Sequence, residues 1–351
     1  MTLVFQKKML RLMTLGARFL SICILFFSCS SKNTTLHSIY GNTQGTFYSV
    51  KYFSNQKNIF KSDLDSILLD LDLSLSSYIE SSSISRINNN ATIKIDNYLK
   101  EVITRSLKIC KETNGAFDIT VAPIVNAYGF GPKKNSFKRD GSYFSEYIGC
   151  DKIFLENDLI RKEESIQLDV NGIAQGFSVD VLSNFLKENG IVDFIINIGG
   201  EIFCSGDKKG KPWLVAIEQP LKNIQSQKYI LKLSNTALAT SGSYRKTKEL
   251  EKKVISHTIN PKTFKPIENQ LLSVSIMSQN CMDADAYATA CMSMGLEKSK
   301  KFVKKQGIEA CFIYKDRNDT LTYMTSGLLS LVSSDSPDFL DLQSSLGDAP
   351  Q

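Results

Sequence analysis

Apolar and polar residues alternate along this chain with two distinct periods. Between Asp63 and Leu73, leucines and an isoleucine recur at helical spacing among acids, which predicts a helix. A second helix is predicted over Asp96 to Thr113, with Asp96 near its start and Asn114-Gly115 as its stop. Gly172 to Glu188 reads as a third, ended by Asn189-Gly190. Cys281 to Met294 reads as a helix rich in small residues, and Leu296 to Lys305 as the next. Strands are predicted at Thr46 to Phe53, Phe194 to Ile198, Trp213 to Ile217, Tyr229 to Leu233, Ser273 to Met277 and Ile308 to Tyr314. These elements mix without a regular strand–helix–strand repeat, so the predicted class is α+β. No Pro/Gly-rich linker divides residues 45–333, which read as one folded unit.

The two ends carry other patterns. Residues 1–28 hold Lys7, Lys8, Arg11 and Arg18, no acid, and an apolar run from Phe19 to Phe27 broken only by Ser21. That run is too short to span a bilayer and suits a signal peptide. Ser28 then precedes Cys29, which resembles a bacterial lipoprotein signal whose cleavage leaves Cys29 to be lipidated. An ordinary signal peptide or an uncleaved anchor are the alternatives. Residues 29–44 read as a polar linker behind the anchor. Residues 334–351, with four aspartates, two prolines and no Lys or Arg, read as a disordered acidic tail.

Composition narrows the class. With 351 residues, 42% hydrophobic and 22% charged, the chain is neither disordered, collagenous nor a coiled coil. Its formal charge is +6, but residues 1–28 supply four of those charges, so no basic footprint for nucleic acid remains. Cys23 and Cys29 lie in or beside the targeting segment. Cys110, Cys150, Cys204, Cys281, Cys291 and Cys311 are scattered, without CxxC spacing or paired histidines, which argues against zinc. Cys110, Cys281 and Cys291 fall among apolar residues and read as small core hydrophobes. A disulfide is open to an exported chain, with no pairing assignable.

Six clusters could carry chemistry. Asp283-Ala-Asp285-Ala-Tyr-Ala-Thr289-Ala290 places Asp285 and Thr289 four apart on one helix face, two hard oxygens of the kind magnesium takes alongside phosphate and water. Taken alone it reads better as a helix start with acids on the dipole and Thr289 in the core. Gln167 to Gly176 leads from a strand through a Gly-flanked turn into a helix, a junction that offers amides to phosphate, or a plain turn. No GxGxxG dinucleotide fingerprint is present. Asn197-Ile-Gly199-Gly200-Glu201 permits close backbone approach to a ligand, or forms a bulge or hairpin. Ala239 to Arg245 is followed by Ser256-His257. His37 lies in the linker, so His257 is the one histidine left for an acid–base role in a folded site, or a hydrogen-bonded structural residue. Thr113 to Pro123 running to Gly131, and Gly45 to Tyr48 with Tyr78 and Ser85 to Asn88, suit an aromatic ring plus sugar, or a surface hairpin.

Together these clusters resemble the FAD:protein FMN transferase family, the ApbE-like flavin transferases. The family order GTxY, SxISRIN, TxGAFDITVAPLV, LDxGGIAKG, NIGGE, ATSGSYR, SHIIDPxTG and ADAxATA is matched here. The corresponding segments are GTFY from Gly45, SSISRIN from Ser82, TNGAFDITVAPIV from Thr113, LDVNGIAQG from Leu168, NIGGE from Asn197, ATSGSYR from Ala239, SHTINPKT from Ser256 and ADAYATA from Ala284. The resemblance runs from about Gly45 to Gly295 and more weakly to about Val332.

The resemblance implies a single mixed catalytic domain with antiparallel-rich sheets and packed helices. It implies cleavage of FAD, attachment of FMN through a phosphoester to a threonine of a target protein, and release of AMP. Magnesium would be held by Asp285, Thr289 and the carbonyl of Ala174, with Asp283 behind them. FAD would be lined by Tyr78, Gly199, Gly200, Glu201, Ser241, Gly242, Ser243 and Arg245, with Asp118 and Thr120 on the adenosine side. Asp285 and His257 would be catalytic, His257 accepting the threonine proton. Partners implied are periplasm-facing subunits of membrane electron-transport complexes, met by an enzyme lipid-anchored in a bacterial cell envelope. Asn171 departs from a glycine, Gln175 from a frequent lysine, Asn260 from Asp, Phe264 from Gly and Gln44 from Met.

Overall fold

In the central strands, neighbouring side chains point into two different cores, which leaves these strands buried on both faces. The computed structural model describes residues 34–56, 58–133, 141–220, 227–244, 247–250 and 253–338. Strands β1 (Thr35–Thr43) and β2 (Thr46–Ser54) lead into helices α1 (Lys61–Leu75), α2 (Ser83–Asn88), α3 (Asn97–Glu112) and α4 (Ala122–Ala127). A short hairpin, β3 (Phe154–Glu156) and β4 (Leu159–Arg161), precedes the long helix α5 (Asn171–Glu188). Then come β5 (Phe194–Ile198), β6 (Glu201–Ser205), β7 (Trp213–Glu218), β8 (Gln227–Leu233) and β9 (Thr236–Gly242). Two small hairpins follow, β10 (Thr247–Leu250) with β11 (Lys253–Ser256), and β12 (Ile259–Asn260) with β13 (Lys265–Pro266). The chain continues through β14 (Leu271–Ser278), α6 (Cys281–Met294), α7 (Leu296–Gln306), β15 (Glu309–Asp316), β16 (Asp319–Met324) and α8 (Ser326–Leu329).

Eight strands form the main sheet in the order β1-β2-β5-β6-β9-β14-β15-β16. The registers from β2 to β16 are antiparallel, as the α+β class requires. Ala237, Ala239, Val274, Ile276, Ala310 and Phe312 join the larger core with α5 and α6. Their neighbours Leu238, Cys311 and Ile313 join the second core beneath the β7–β8 hairpin, with Trp213, Val215 and Leu231. Period-two alternation therefore survives, but both faces are apolar. The alanines matter for spacing. Ala237 and Ala239 on β9 and Ala284, Ala286, Ala288 and Ala290 on α6 are all fully or nearly fully buried, which lets α6 lie close on the sheet.

Three expectations change. The run predicted as a linker contains β1, whose only buried residues are Ile39 and Thr43. A polar edge strand looks like a linker because it has so little to bury. The start of the predicted acidic tail is ordered: Ser336 Oγ accepts the Ile230 amide at 2.9 Å, and Lys228 pairs with Asp338 at 2.8 Å. Cys110 is no core thiol, since it forms a disulfide with Cys150. Cys281 and Cys291 are free and buried, as expected of small hydrophobes. The predicted signal peptide, Cys29 and residues 339–351 lie outside the described residues. Among the described residues, no helix is long and apolar enough to cross a membrane.

Candidate active site

Two helices carry the centre of the site. Helix α6 starts with Asn280, whose side chain accepts the Asp283 amide at 2.8 Å, and stops at Gly295 with φ +78°. Helix α5 begins where Asp169 leaves an extended segment. That segment is gripped by Asn88, which donates to the Leu168 carbonyl at 2.8 Å and accepts its amide at 2.7 Å. The Asp169 amide donates to Ile119 O at 2.7 Å. The SISRIN motif thus fixes the entry to α5.

The helices run antiparallel and meet backbone to backbone. Gly172 faces Thr289: a methyl group there would sit 3.1 Å from Thr289 Cγ2 and 3.2 Å from its Oγ1. At Gly176 a methyl group would fall 2.3 Å from the Cys281 carbonyl oxygen and 2.8 Å from Asp285 Cβ. Only glycine allows this approach. The Gly176 amide donates to Asp285 Oδ2 at 3.0 Å. Burial pushes the Asp285 carboxyl up to about 7 against that bond, and the Asp180 charge adds to the rise. A buried carboxylate held at such a cost fits a cation beside it. Thr289 Oγ1 lies 3.2 Å from Ser241 Oγ at the end of β9. Carboxylate, hydroxyl and helix-start backbone make a hard-oxygen donor set of the kind magnesium takes.

Asp283 faces the other way. Its carboxylate is gripped by Arg105 of α3, which also donates to Tyr287 Oη at 3.0 Å, and Tyr287 donates to Glu112 at 2.6 Å. Asp283 therefore anchors α6 and does not share the face of Asp285.

A second group gathers around Phe130. Tyr78 Oη donates to the Phe130 carbonyl at 3.0 Å, and the Phe130 ring meets His257 edge-on at 6.3 Å between centroids. A small apolar cluster of Ile124, Phe144, Ile148 and Ile259, with Tyr128 and Phe264 against it, joins the end of α4 to β12. Lys248 adds a bond to Gly129 O at 3.0 Å. Tyr78 is exposed and, through burial of its hydroxyl and the charge of Asp169, is raised above the usual phenol range.

The remaining predicted residues are placed as follows. Gly199 and Gly200, with φ +65° and +118°, form the two-residue turn between β5 and β6, with Thr46 packed on Gly199 and Glu201 buried behind it. Ser241 and Gly242 end β9, and Ser243 holds the carbonyls of Leu271 and Leu272. Asp118 and Thr120 are turned inward. Asp118 accepts from Thr120 and from the Cys150 amide, and Thr120 Oγ1 accepts the Gly149 amide. Burial raises the Asp118 carboxyl. These two hold the Gly149–Cys150 segment beside the disulfide. The Ala174 carbonyl accepts Ser178 Oγ at 2.8 Å within α5, and Ser178 Oγ in turn accepts from Gln44 at 2.7 Å. Arg245 lies outside the described residues.

Two departures are accommodated locally. Asn260 accepts the Lys262 and Thr263 amides as an aspartate would, and also donates to Ser293 O at 3.1 Å, which an aspartate could not. Phe264 holds φ +59°, the conformation for which glycine is common there.

The sequence reading misses Asp180 and Arg105, and it places Asn88 in a ligand cluster where the structure shows it gripping the Leu168 backbone. Asp180 is legible as the third member of a four-residue spacing from Gly172 and Gly176. Arg105 has no such signal, since 178 residues separate it from Asp283.

The candidate residues thus fall into a buried hard-oxygen group between two helix backbones and a second group in which Tyr78 and His257, from separate loops, meet at Phe130. Known proteins specify this arrangement further. The ApbE family pattern matches residues 44–312, and the chain belongs to that family. It is 31% identical over 327 residues to the FAD:protein FMN transferase of Haemophilus influenzae, covering 88% of this chain and 94% of that protein. Similarity to the Escherichia coli K12 FAD:protein FMN transferase is 28% over 347 residues, covering 90% and 97%. Among solved structures, the Vibrio cholerae flavin transferase ApbE superposes with a TM-score of 0.75 at 29% identity, covering 85% of this chain and 99% of that one. The apo Pseudomonas stutzeri flavinyl transferase ApbE gives 0.76 at 30%, covering 85% and 97%.

Proposed function

We propose that this protein is an FAD:protein FMN transferase. The observation that carries the reading is the pair Asp285 and Thr289 on one face of α6, with Asp285 on the Gly176 amide of α5 and Thr289 beside Ser241. In the reaction a threonine hydroxyl of the target attacks the flavin-side phosphorus of FAD. The phosphorus–oxygen bond to AMP breaks, AMP leaves with the bridging oxygen, and the threonine proton passes to a base.

Asp285, Thr289 and a backbone carbonyl in the first turn of α5 would hold magnesium. The resemblance puts that carbonyl on Ala174, which accepts Ser178 Oγ at 2.8 Å. When bound, magnesium neutralises diphosphate charge and orients the leaving phosphate. The amides opening α5 add partial positive charge where Gln175 leaves none. His257 takes the threonine proton, and the Tyr78–Phe130 bond sets the loop against which its ring rests. The Gly199-Gly200 turn, Glu201, Ser241, Gly242, Ser243 and Arg245 border the nucleotide in this reading.

Export to the cell envelope fits the same account. The basic and apolar N-terminus and Cys29 support a lipid anchor facing the periplasm, and the Cys110–Cys150 disulfide supports an oxidising compartment. Targets would then be periplasm-facing subunits of membrane electron-transport complexes bearing an acceptor threonine.

The test follows the fate of FMN. Incubation with FAD, magnesium and an acceptor domain should release one AMP for each flavin bound covalently to the acceptor. AMP release with FMN free in solution would replace the transferase reading by hydrolysis.

A further inference from the structure

Three residues of α5, spaced four apart, meet α6 in reverse order. Gly172 lies against Thr289, Gly176 against Asp285, and Asp180 against the first turn of α6. The spacing puts all three on one stripe of α5. Gly172 and Gly176 have no side chains to interlock with α6. At these positions the side-chain contribution comes from hydrogen bonds, while the backbones pack closely.

Asp180 makes two of them. Its Oδ1 accepts the Cys281 amide and its Oδ2 accepts the Met282 amide, each at 2.8 Å. These are two of the amides that every helix start leaves unpaired, and a carboxylate there is also favoured by the helix dipole. Asn280 takes the next, at Asp283. The cap on α6 is thus shared between its own N-cap and a residue 101 positions upstream on the neighbouring helix. On the far side, Arg105 and Glu112 of α3 grip Asp283 and Tyr287 and hold the rotation of α6. Along α5 itself, Asp180 and the Gly176–Asp285 bond tie α6 at its N-terminal end, and the second of these involves a proposed ligand.

We propose that Asp180 is a positioning residue that sets the register of α6 along α5. It thereby sets the spacing of Asp285 and Thr289 from the first turn of α5. Magnesium–oxygen distances tolerate little variation, so a small slip between the helices weakens metal binding before it disturbs the fold. The inference rests on the metal site read above.

The experiment measures Mn2+ binding to the full-length protein by electron paramagnetic resonance, without FAD. It also measures amide exchange, FAD binding in metal-free buffer, and melting. Wild type binds Mn2+ and Asp285→Ala does not. Asp180→Asn and Asp180→Ser should melt close to wild type and exchange faster at Cys281 and Met282. They should bind Mn2+ roughly 10- to 100-fold more weakly, as loss of an orienting partner does, with FAD affinity held. Unchanged Mn2+ affinity in both variants overturns the proposal. So does loss of the fold in both, or FAD affinity falling in step with Mn2+. A wild type that binds no Mn2+ overturns the metal site, and this inference with it.

Discussion

The Gly176 amide donates to Asp285 Oδ2 at 3.0 Å, at a point where a methyl group on Gly176 would meet Cys281 O at 2.3 Å. Gly176→Ala must therefore push α5 and α6 apart. Overpacking of this kind costs about 1–3 kcal/mol, and it separates Asp285 from its partner helix. The expected result is a lower melting temperature together with loss of metal binding. Gly172→Ala, with its closest contact at 3.1 Å to a side-chain methyl, should cost less in both.

Asp285 carries a burial cost that the proposed metal would relieve. Burial raises its carboxyl from the ordinary carboxylate range to about 7. A group raised in the folded state contributes stability that is present below its unfolded pKa and lost as pH rises through the folded one. In chelator, wild type should therefore lose stability as pH rises from about 4 to about 7, whereas Asp285→Asn should show a smaller loss, the part left to Asp180, which burial raises to about 6. Melting curves of both proteins across that range check it. An equal pH response in the variant would show that Asp285 is not the group responsible.

The disulfide between Cys110 and Cys150 ties α3 to the segment that Asp118 and Thr120 hold. It closes a loop with a sequence separation of 40. Removing such a cross-link costs about 2–4 kcal/mol. Cys150→Ser should lower the melting temperature in non-reducing buffer and abolish the effect of reductant that wild type shows.

Tyr78→Phe keeps the ring and deletes the bond to Phe130 O. One such hydrogen bond is worth about 1 kcal/mol, roughly fivefold in rate. We expect kcat to fall by about that factor because the loop beside His257 loosens, with the KM for FAD little changed. A change in KM alone would place Tyr78 in FAD binding rather than in loop positioning.

Much of the fold is legible from periodicity, because strands such as Phe194–Ile198 and helices such as Asn97–Glu112 carry their own burial pattern and caps. Edge strand β1 is not legible, since an edge needs only Ile39 and Thr43 inside. The pair Asp285 and Thr289 is legible because four-residue spacing is local. Asp283 is not, because its direction is set by Arg105 on a helix far away in sequence. The bonds from Asp118 and Thr120 to the backbone at Gly149 and Cys150 are not legible either, because no local pattern connects residues so far apart.

The central claim is that this protein transfers FMN to another protein. The most direct measurement is mass spectrometry of an acceptor domain after incubation with FAD and magnesium. The account predicts one covalently added FMN on the acceptor threonine, and none with Asp285→Ala. An acceptor that stays unmodified with the folded wild-type enzyme, in a pair known to be cognate, would contradict it.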